Sequence, residues 1–223
     1  MKKAIVLFGL LFVFAATAQQ KRTIGNYTKL YVKGSFDVTL VQGKTEATIT
    51  TSDKSILESV KIEISDNVLN IYMDDHKWKN YGDIKIELPY QNLNEIHLNG
   101  SGSIAADGAI NSDNIKVIVS GSGDIALTIN AKNAVGELTG SGDLTLGGMT
   151  TNFEGKVIGS GDLKASRFKA ENTLIEVSGS GDANVYASEN IKARVVGSGD
   201  IKYAGNPKKE DTKVSGSGSI EKD

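Results

Sequence analysis

Five aspartates recur at one position of a repeated motif: Asp124, Asp143, Asp162, Asp182 and Asp200 each stand directly after a Gly-Ser-Gly tripeptide. Carboxylates spaced 19, 19, 20 and 18 residues apart fall on one line if each repeat forms one coil of a stack. Neighbours would then lie about 5 Å apart and repel one another unless solvent or a cation screens them. Two chemistries compete for such a column. It is either a calcium ladder or a row of turn aspartates that cap nearby backbone N–H groups. Calcium-binding nonapeptide rolls carry their motif twice in each coil of about 18 residues, and here it occurs once per coil. The column alone therefore assigns no metal ligands.

A second candidate is Met73-Asp74-Asp75-His76-Lys77-Trp78-Lys79-Asn80-Tyr81, which holds the only tryptophan. Tyr72, Trp78, Tyr81 and Tyr90 place four of the eight Tyr and Trp residues within 19 positions. Aromatics beside mixed charge suit a sugar-stacking platform or a protein contact, but the reading preferred here is a hairpin loop whose aromatics pack over the open end of the core. Asp74, Asp75 and His76 are consecutive, so an extended loop cannot turn all three toward one ion.

Catalytic chemistry finds little material. There are two histidines, His76 and His97, and no cysteine, which leaves few groups for acid/base or nucleophilic work. Gly43-Lys44-Thr45 ends like a phosphate loop but lacks the glycine five residues earlier, and its surroundings alternate like a strand. Serial Gly-Ser-Gly turns offer amide nests to anions, yet strands follow them and an adjacent Asp repels phosphate. The repeats vary by only three residues in length, so no insertion builds a cleft for polysaccharide hydrolysis. The reading is of a non-enzyme with no catalytic residues and no cofactor.

What must position these residues is the repeat itself. Gly-Ser-Gly begins at Gly100, Gly121, Gly140, Gly159, Gly179, Gly197 and Gly216. A unit of about 19 residues cannot bury its own apolar face, so the units must stack. Two residues before each first Gly stand Leu98, Val119, Leu138, Val157, Val177, Val195 and Val214, all apolar. One position earlier stand His97, Ile118, Glu137, Lys156, Glu176, Arg194 and Lys213, mostly charged, as a half-buried strand requires. Four residues after that Gly come Ile104, Ile125, Leu144, Leu163, Ala183, Ile201 and Ile220, which predicts a second strand. Asn114, Asn133, Asn152, Asn172 and Asn190 form a further column, suited to an Asn ladder from coil to coil or simply to a turn that uses the left-handed tolerance of Asn. The expected fold is all-β: a right-handed parallel β-helix (β-solenoid) with coils of about 19 residues.

The segment before the repeats is related but irregular. Leu30, Val32, Gly34, Ser35, Val38 and Leu40 occupy the repeat columns, with Phe36 in place of the second glycine, so it reads as a first coil. Strand-like runs follow at 47–51, 60–64, 68–73 and 84–88, and Asp66-Asn67 reads as a hairpin turn. This part is expected to form an irregular β cap that shields the open core. Lys2 and Lys3 precede an apolar run from Ala4 to Ala16 that ends in Ala16-Thr17-Ala18, which reads as a signal peptide over 1–18. Its removal leaves 23 basic against 27 acidic residues, a balance that argues against nucleic acid as a partner. No second apolar run follows, so no membrane span is expected after cleavage. The domain reading is then 1–18 signal peptide, 19–99 first coil and capping region, and 100–223 repeat β-helix, continuous with 19–99.

Val32-Lys33-Gly34-Ser35-Phe36-Asp37-Val38-Thr39-Leu40-Val41-Gln42-Gly43, followed by serial Gly-Ser-Gly-Asp-(Ile/Leu), resembles the putative auto-transporter adhesin head GIN domain family over nearly the whole mature chain. The resemblance implies a secreted or envelope β-helix without established enzymatic activity, and defines no functional residues to carry across. The expected function is that of an exported, extracytoplasmic, adhesin-like protein presenting its surface to a glycan or protein. The alternative is a structural envelope component that self-associates, with homo-oligomers built through an exposed sheet face and calcium along the Asp column.

Overall fold

The computed structural model describes residues 18–43, 45–74 and 83–223. Its repeat region is built from long strands that run through whole coils: β9 (Ser103–Gly121), β10 (Asp124–Gly140), β11 (Leu144–Gly159) and β12 (Leu163–Gly179). Each pairs in parallel with the next, with Gly140 opposite Gly121 and Asn152 opposite Asn133. The expected polar turn at the Asn column therefore does not interrupt pairing. The chain bends there while its inter-coil hydrogen bonds continue. Only the last coils split into shorter strands: β13 (Ala183–Tyr186), β14 (Asn190–Gly197), β15 (Ile201–Ala204), β16 (Lys209–Gly216) and β17 (Ile220–Lys222).

The apolar columns point inward and are buried. Ile125, Leu144, Leu163, Ala183 and Ile201 stack on one side of the core, and Leu138, Val157, Val177 and Val195 on another. Phe153 and Phe168 meet edge to face, with ring centroids 5.2 Å apart, and fill the middle.

Glycine is required at the corner for two separate reasons. The first Gly of each tripeptide has positive φ, from 119 to 145°, a region that disfavours side chains. The second Gly instead faces the coil beneath it: a Cβ on Gly142 would stand 1.9 Å from the Gly123 carbonyl oxygen. This close approach lets Ser141 and Gly142 N–H both donate to the Gly121 carbonyl, at 2.9 and 3.2 Å.

The N-terminal part holds β1 (Ala18–Thr23), β2 (Lys29–Lys33), β3 (Phe36–Gln42), β4 (Glu46–Thr51), a 3₁₀ turn at Lys54–Ile56, β5 (Val60–Ser65), β6 (Val68–Met73), β7 (Ile84–Tyr90) and β8 (Glu95–Gly100). Here chain order and spatial order part. The β2–β3 coil is first in sequence, but β6 and β7 run parallel along its outer side while β8 and β9 run along its inner side. The β6–β7 coil thus lies beyond it in the stack. Antiparallel strands finish the end, with β5 on β6, β4 on β7 and β1 on β4. This is the irregular β segment expected from the sequence. Asp66 and Asn67 both take positive φ, 51 and 63°, as the hairpin between β5 and β6 requires. Phe36 is buried, and its backbone lies where the glycine-only approach of Gly102 is made.

Residues 1–17, which hold almost all of the candidate leader, lie outside the described residues. A cut after Ala18 would fall one residue into β1, where Ala18 pairs with Thr51. No helix among the described residues is long and apolar enough to cross a membrane.

Candidate functional site

The Asp column is real and its carboxylates have a defined task. Asp124 Oδ1 accepts from the Asp143 backbone N–H at 2.9 Å, Asp143 from Asp162 at 3.3 Å and Asp162 from Asp182 at 3.2 Å. Asp182 and Asp200 continue the series, accepting from Asp200 and Ser219 at 2.8 and 2.7 Å. Each side chain thereby satisfies an amide that the tight corner leaves without a carbonyl partner. Lys164 further pairs with Asp143. Sequence reasoning missed one member: Asp37, opposite Ser103, whose hydroxyl donates to Asp37 Oδ1 at 2.7 Å. The signal was available, because Gly34-Ser35-Phe36-Asp37 keeps the motif apart from one residue. Among the described residues no group of three or more His, Cys, Asp or Glu side chains is arranged to hold a metal ion.

The asparagines form a ladder. Asn133 donates to Asn114 at 2.8 Å, Asn152 to Asn133 at 2.8 Å, Asn172 to Asn152 at 3.0 Å and Asn190 to Asn172 at 2.5 Å. Left-handed backbone plays no part, since Asp66 and Asn67 are the only non-glycine residues with positive φ among those described.

The aromatic segment separates into parts. Asp75, His76, Trp78 and Tyr81 lie outside the described residues, as does Lys44 of the Gly-Lys-Thr sequence. Asp74 pairs with Lys61 at 3.3 Å. Tyr90 is buried in the cap, and its hydroxyl finds no hydrogen-bond partner there. Tyr72 is on the outward face of β6, where its hydroxyl donates to Glu63 at 2.9 Å.

That outward face carries a cluster the sequence did not single out as a unit. Tyr31 of β2 and His97 of β8 stand side by side, their rings edge to face with centroids 5.3 Å apart. Tyr31 donates to Glu95 at 2.7 Å, Lys29 pairs with the same carboxylate at 3.0 Å, and His97 Nε2 lies 3.5 Å from the Ser120 hydroxyl. Partial burial lowers the His97 pKa, with Glu95 opposing and Lys33 and Lys116 assisting, which favours the neutral ring. Burial pushes the Glu95 carboxyl up, but the hydrogen bonds from Tyr31 and Lys29 outweigh it and hold the group below its ordinary value. The hydrogen bond to Glu95 likewise raises Tyr31. Tyr31 and His97 form a partly exposed aromatic pair across β2 and β8; on β6 the register sets Asn70 opposite Tyr31, and Tyr72 lies two residues further along the same face, with both phenols tied to carboxylates.

A parallel β-solenoid with glycine corners defines the fold class, and here the family is specific. The chain belongs to the family described as "Putative auto-transporter adhesin, head GIN domain", whose model matches residues 26–207. Among solved structures it is similar to a putative adhesin from Bacteroides fragilis NCTC 9343, with a TM-score of 0.87 and 24% identity over 93% of this chain and 97% of that one. A putative adhesin from Parabacteroides distasonis ATCC 8503 gives 0.73 and 23% over 93% and 97%. A putative lipid binding protein from the same strain gives 0.73 and 24% over 93% and 96%. These likenesses establish the shared fold. No curated protein matches the chain.

Proposed function

We propose that the protein is an exported, non-enzymatic, adhesin-like binding protein of the cell envelope or surface, and that the Tyr31, Tyr72 and His97 cluster contacts its ligand. The observation that carries this reading is the cluster itself. Its phenol hydroxyls are held by Glu63 and Glu95, so the rings are fixed before a ligand arrives. Partly exposed rings flanked by Lys33, Asn99 and Ser120 offer stacking beside hydrogen-bond donors, the combination that a glycan ring uses. Family membership and the names of the solved neighbours support an adhesive role over an enzymatic one.

An immobilised glycan screen with the purified protein and its Tyr31→Ala and Tyr72→Ala variants tests the reading. Selective retention that both variants lose by tenfold or more is expected. Retention untouched by either substitution places the ligand elsewhere and overturns the assignment.

A further inference from the structure

One column on the outward face of the repeat region carries four successive charges in an order that matches its own reverse. Directly opposite one another on successive coils stand Glu137, Lys156, Glu176 and Arg194. On the same face, two residues earlier in each strand, the column runs Lys116, Val135, Glu154, Leu174, Lys192 and Asp211. Within the chain, Lys116 pairs with Glu137 at 3.0 Å and Arg194 with Asp211 at 2.6 Å. The two central charges, Lys156 and Glu176, are exposed, and neither has an ion-pair partner among the described residues.

We propose that this face binds a second copy of the chain, through a two-fold axis lying in the interface, parallel to the strands and midway between Lys156 and Glu176. Such an axis reverses the coil order and keeps each column opposite itself. Lys156 then meets the partner's Glu176, Glu137 meets the partner's Arg194, and Lys116 meets the partner's Asp211. Two-fold symmetry repeats each contact. Glu154, Lys192 and Lys213 fall opposite the partner's Leu174, Val135 and Ile118, with Glu154 and the partner's Lys192 one coil apart, and no like charges face each other. The unpaired central residues find partners, while the two intrachain pairs join into four-charge networks. Moving the axis one coil toward the C-terminus would set Lys156 against Lys213 and lose the match. In the neighbouring outward column, Ile158 and Val196, 39% and 57% exposed, are covered by the partner's Ser178 and Thr139 in this register.

Six coils at about 4.8 Å and three columns of side chains cover roughly 500 Å² on each copy, near the lower limit of specific interfaces. The dimer is therefore weak, micromolar and sensitive to salt. It leaves the Tyr31 and His97 rings uncovered, one pair at each end, and reaches only as far as the coil that carries Ser120. If those rings bind ligand as proposed above, the dimer is bivalent; the self-association itself does not depend on that reading.

Sedimentation velocity over a micromolar concentration series tests it without any ligand. The protein is expected to dimerise at low ionic strength and to dissociate at high salt. Lys156→Glu and Glu176→Lys each replace two attractive contacts by two repulsive ones, and each is expected to weaken association at least tenfold. Mixed in equal amounts, the two variants restore complementarity at both central contacts and should form a heterodimer as tight as the wild-type dimer. Both side chains are exposed, and unchanged circular dichroism confirms that the variants fold. A wild-type protein that stays monomeric at hundreds of micromolar in low salt, or variants that associate alone as well as in mixture, overturns the proposal.

Discussion

Substituting Gly142 by alanine isolates what the second corner glycine contributes. Its backbone has no positive φ, so alanine fits the local conformation, and the whole effect must come from the coil beneath. The added Cβ would lie 1.9 Å from the Gly123 carbonyl oxygen and 2.9 Å from its carbon. The first distance is about 1 Å short of the closest approach that a Cβ tolerates, so the two coils must separate at this corner. Separation stretches the bonds from Ser141 and Gly142 to the Gly121 carbonyl and from the Asp143 N–H to Asp124. Three bonds at roughly 1 kcal/mol each give a cost of about 3 kcal/mol. For a domain of this size that corresponds to a fall in melting temperature of roughly 6–12 °C. Gly108→Ala is the matched control, because its Cβ meets nothing within 4 Å and its φ is not positive; it should leave stability unchanged or raise it by about 0.5 kcal/mol. Thermal melts followed by far-ultraviolet circular dichroism compare the two. If Gly142→Ala melts within a degree or so of Gly108→Ala, close packing of the coils at the corner is not what demands glycine.

Asn152→Ala removes one bond to Asn133 and one from Asn172; urea titration should show a loss of about 1–2 kcal/mol. Asp162→Asn keeps the acceptor for the Asp182 N–H and should be neutral, whereas Asp162→Ala should cost about 1 kcal/mol; as turn acceptors the column's residues also predict no change in melting temperature between added calcium and chelator. Tyr27→Phe strands the Pro89 carbonyl, to which the buried hydroxyl donates at 2.7 Å, and should destabilise by about 1–2 kcal/mol, while Tyr90→Phe removes an unpartnered hydroxyl and should not destabilise. The depressed pKa of Glu95 means that its ionised form stabilises the fold above its ordinary titration range and that this contribution is lost as pH falls through the folded-state value. The gap in melting temperature between wild type and Glu95→Gln should therefore be present at neutral pH and close in acid.

The repeats were legible because side chains alternate strictly and each coil copies its neighbour. Leu98 to Val195 and Ile104 to Ile201 are the core columns that the alternation predicts, whereas Val214 on the last coil is 42% exposed because no further coil covers it; the Asn column, open in sequence between a ladder and a simple turn, is a ladder. The N-terminal end resisted for a physical reason. Nothing local in β6 or β7 says that they pair with β2 and β3 from outside, because their corner lacks Gly-Ser-Gly and carries the 75–82 segment instead. Spatial order there is set by which apolar face remains uncovered, Leu69 and Ile71 against Leu30 and Val32, and that is a property of the assembled stack. Tyr31 and His97 were hidden likewise. They are 66 residues apart in sequence and become neighbours only through the parallel register of β2 and β8. Asp37 was within reach, since it follows the same corner with Phe36 substituted for glycine.

Binding without turnover is the central claim. The most direct test incubates the purified protein with a surface-glycan library, captures it, and identifies both bound and unbound glycans by mass spectrometry, with a Tyr31→Ala/Tyr72→Ala double variant in parallel. The prediction is a defined subset captured intact by the wild type and lost by the double variant, with the library unchanged in mass after prolonged incubation. Progressive shortening of the glycans, or capture that survives loss of both tyrosines, would contradict it.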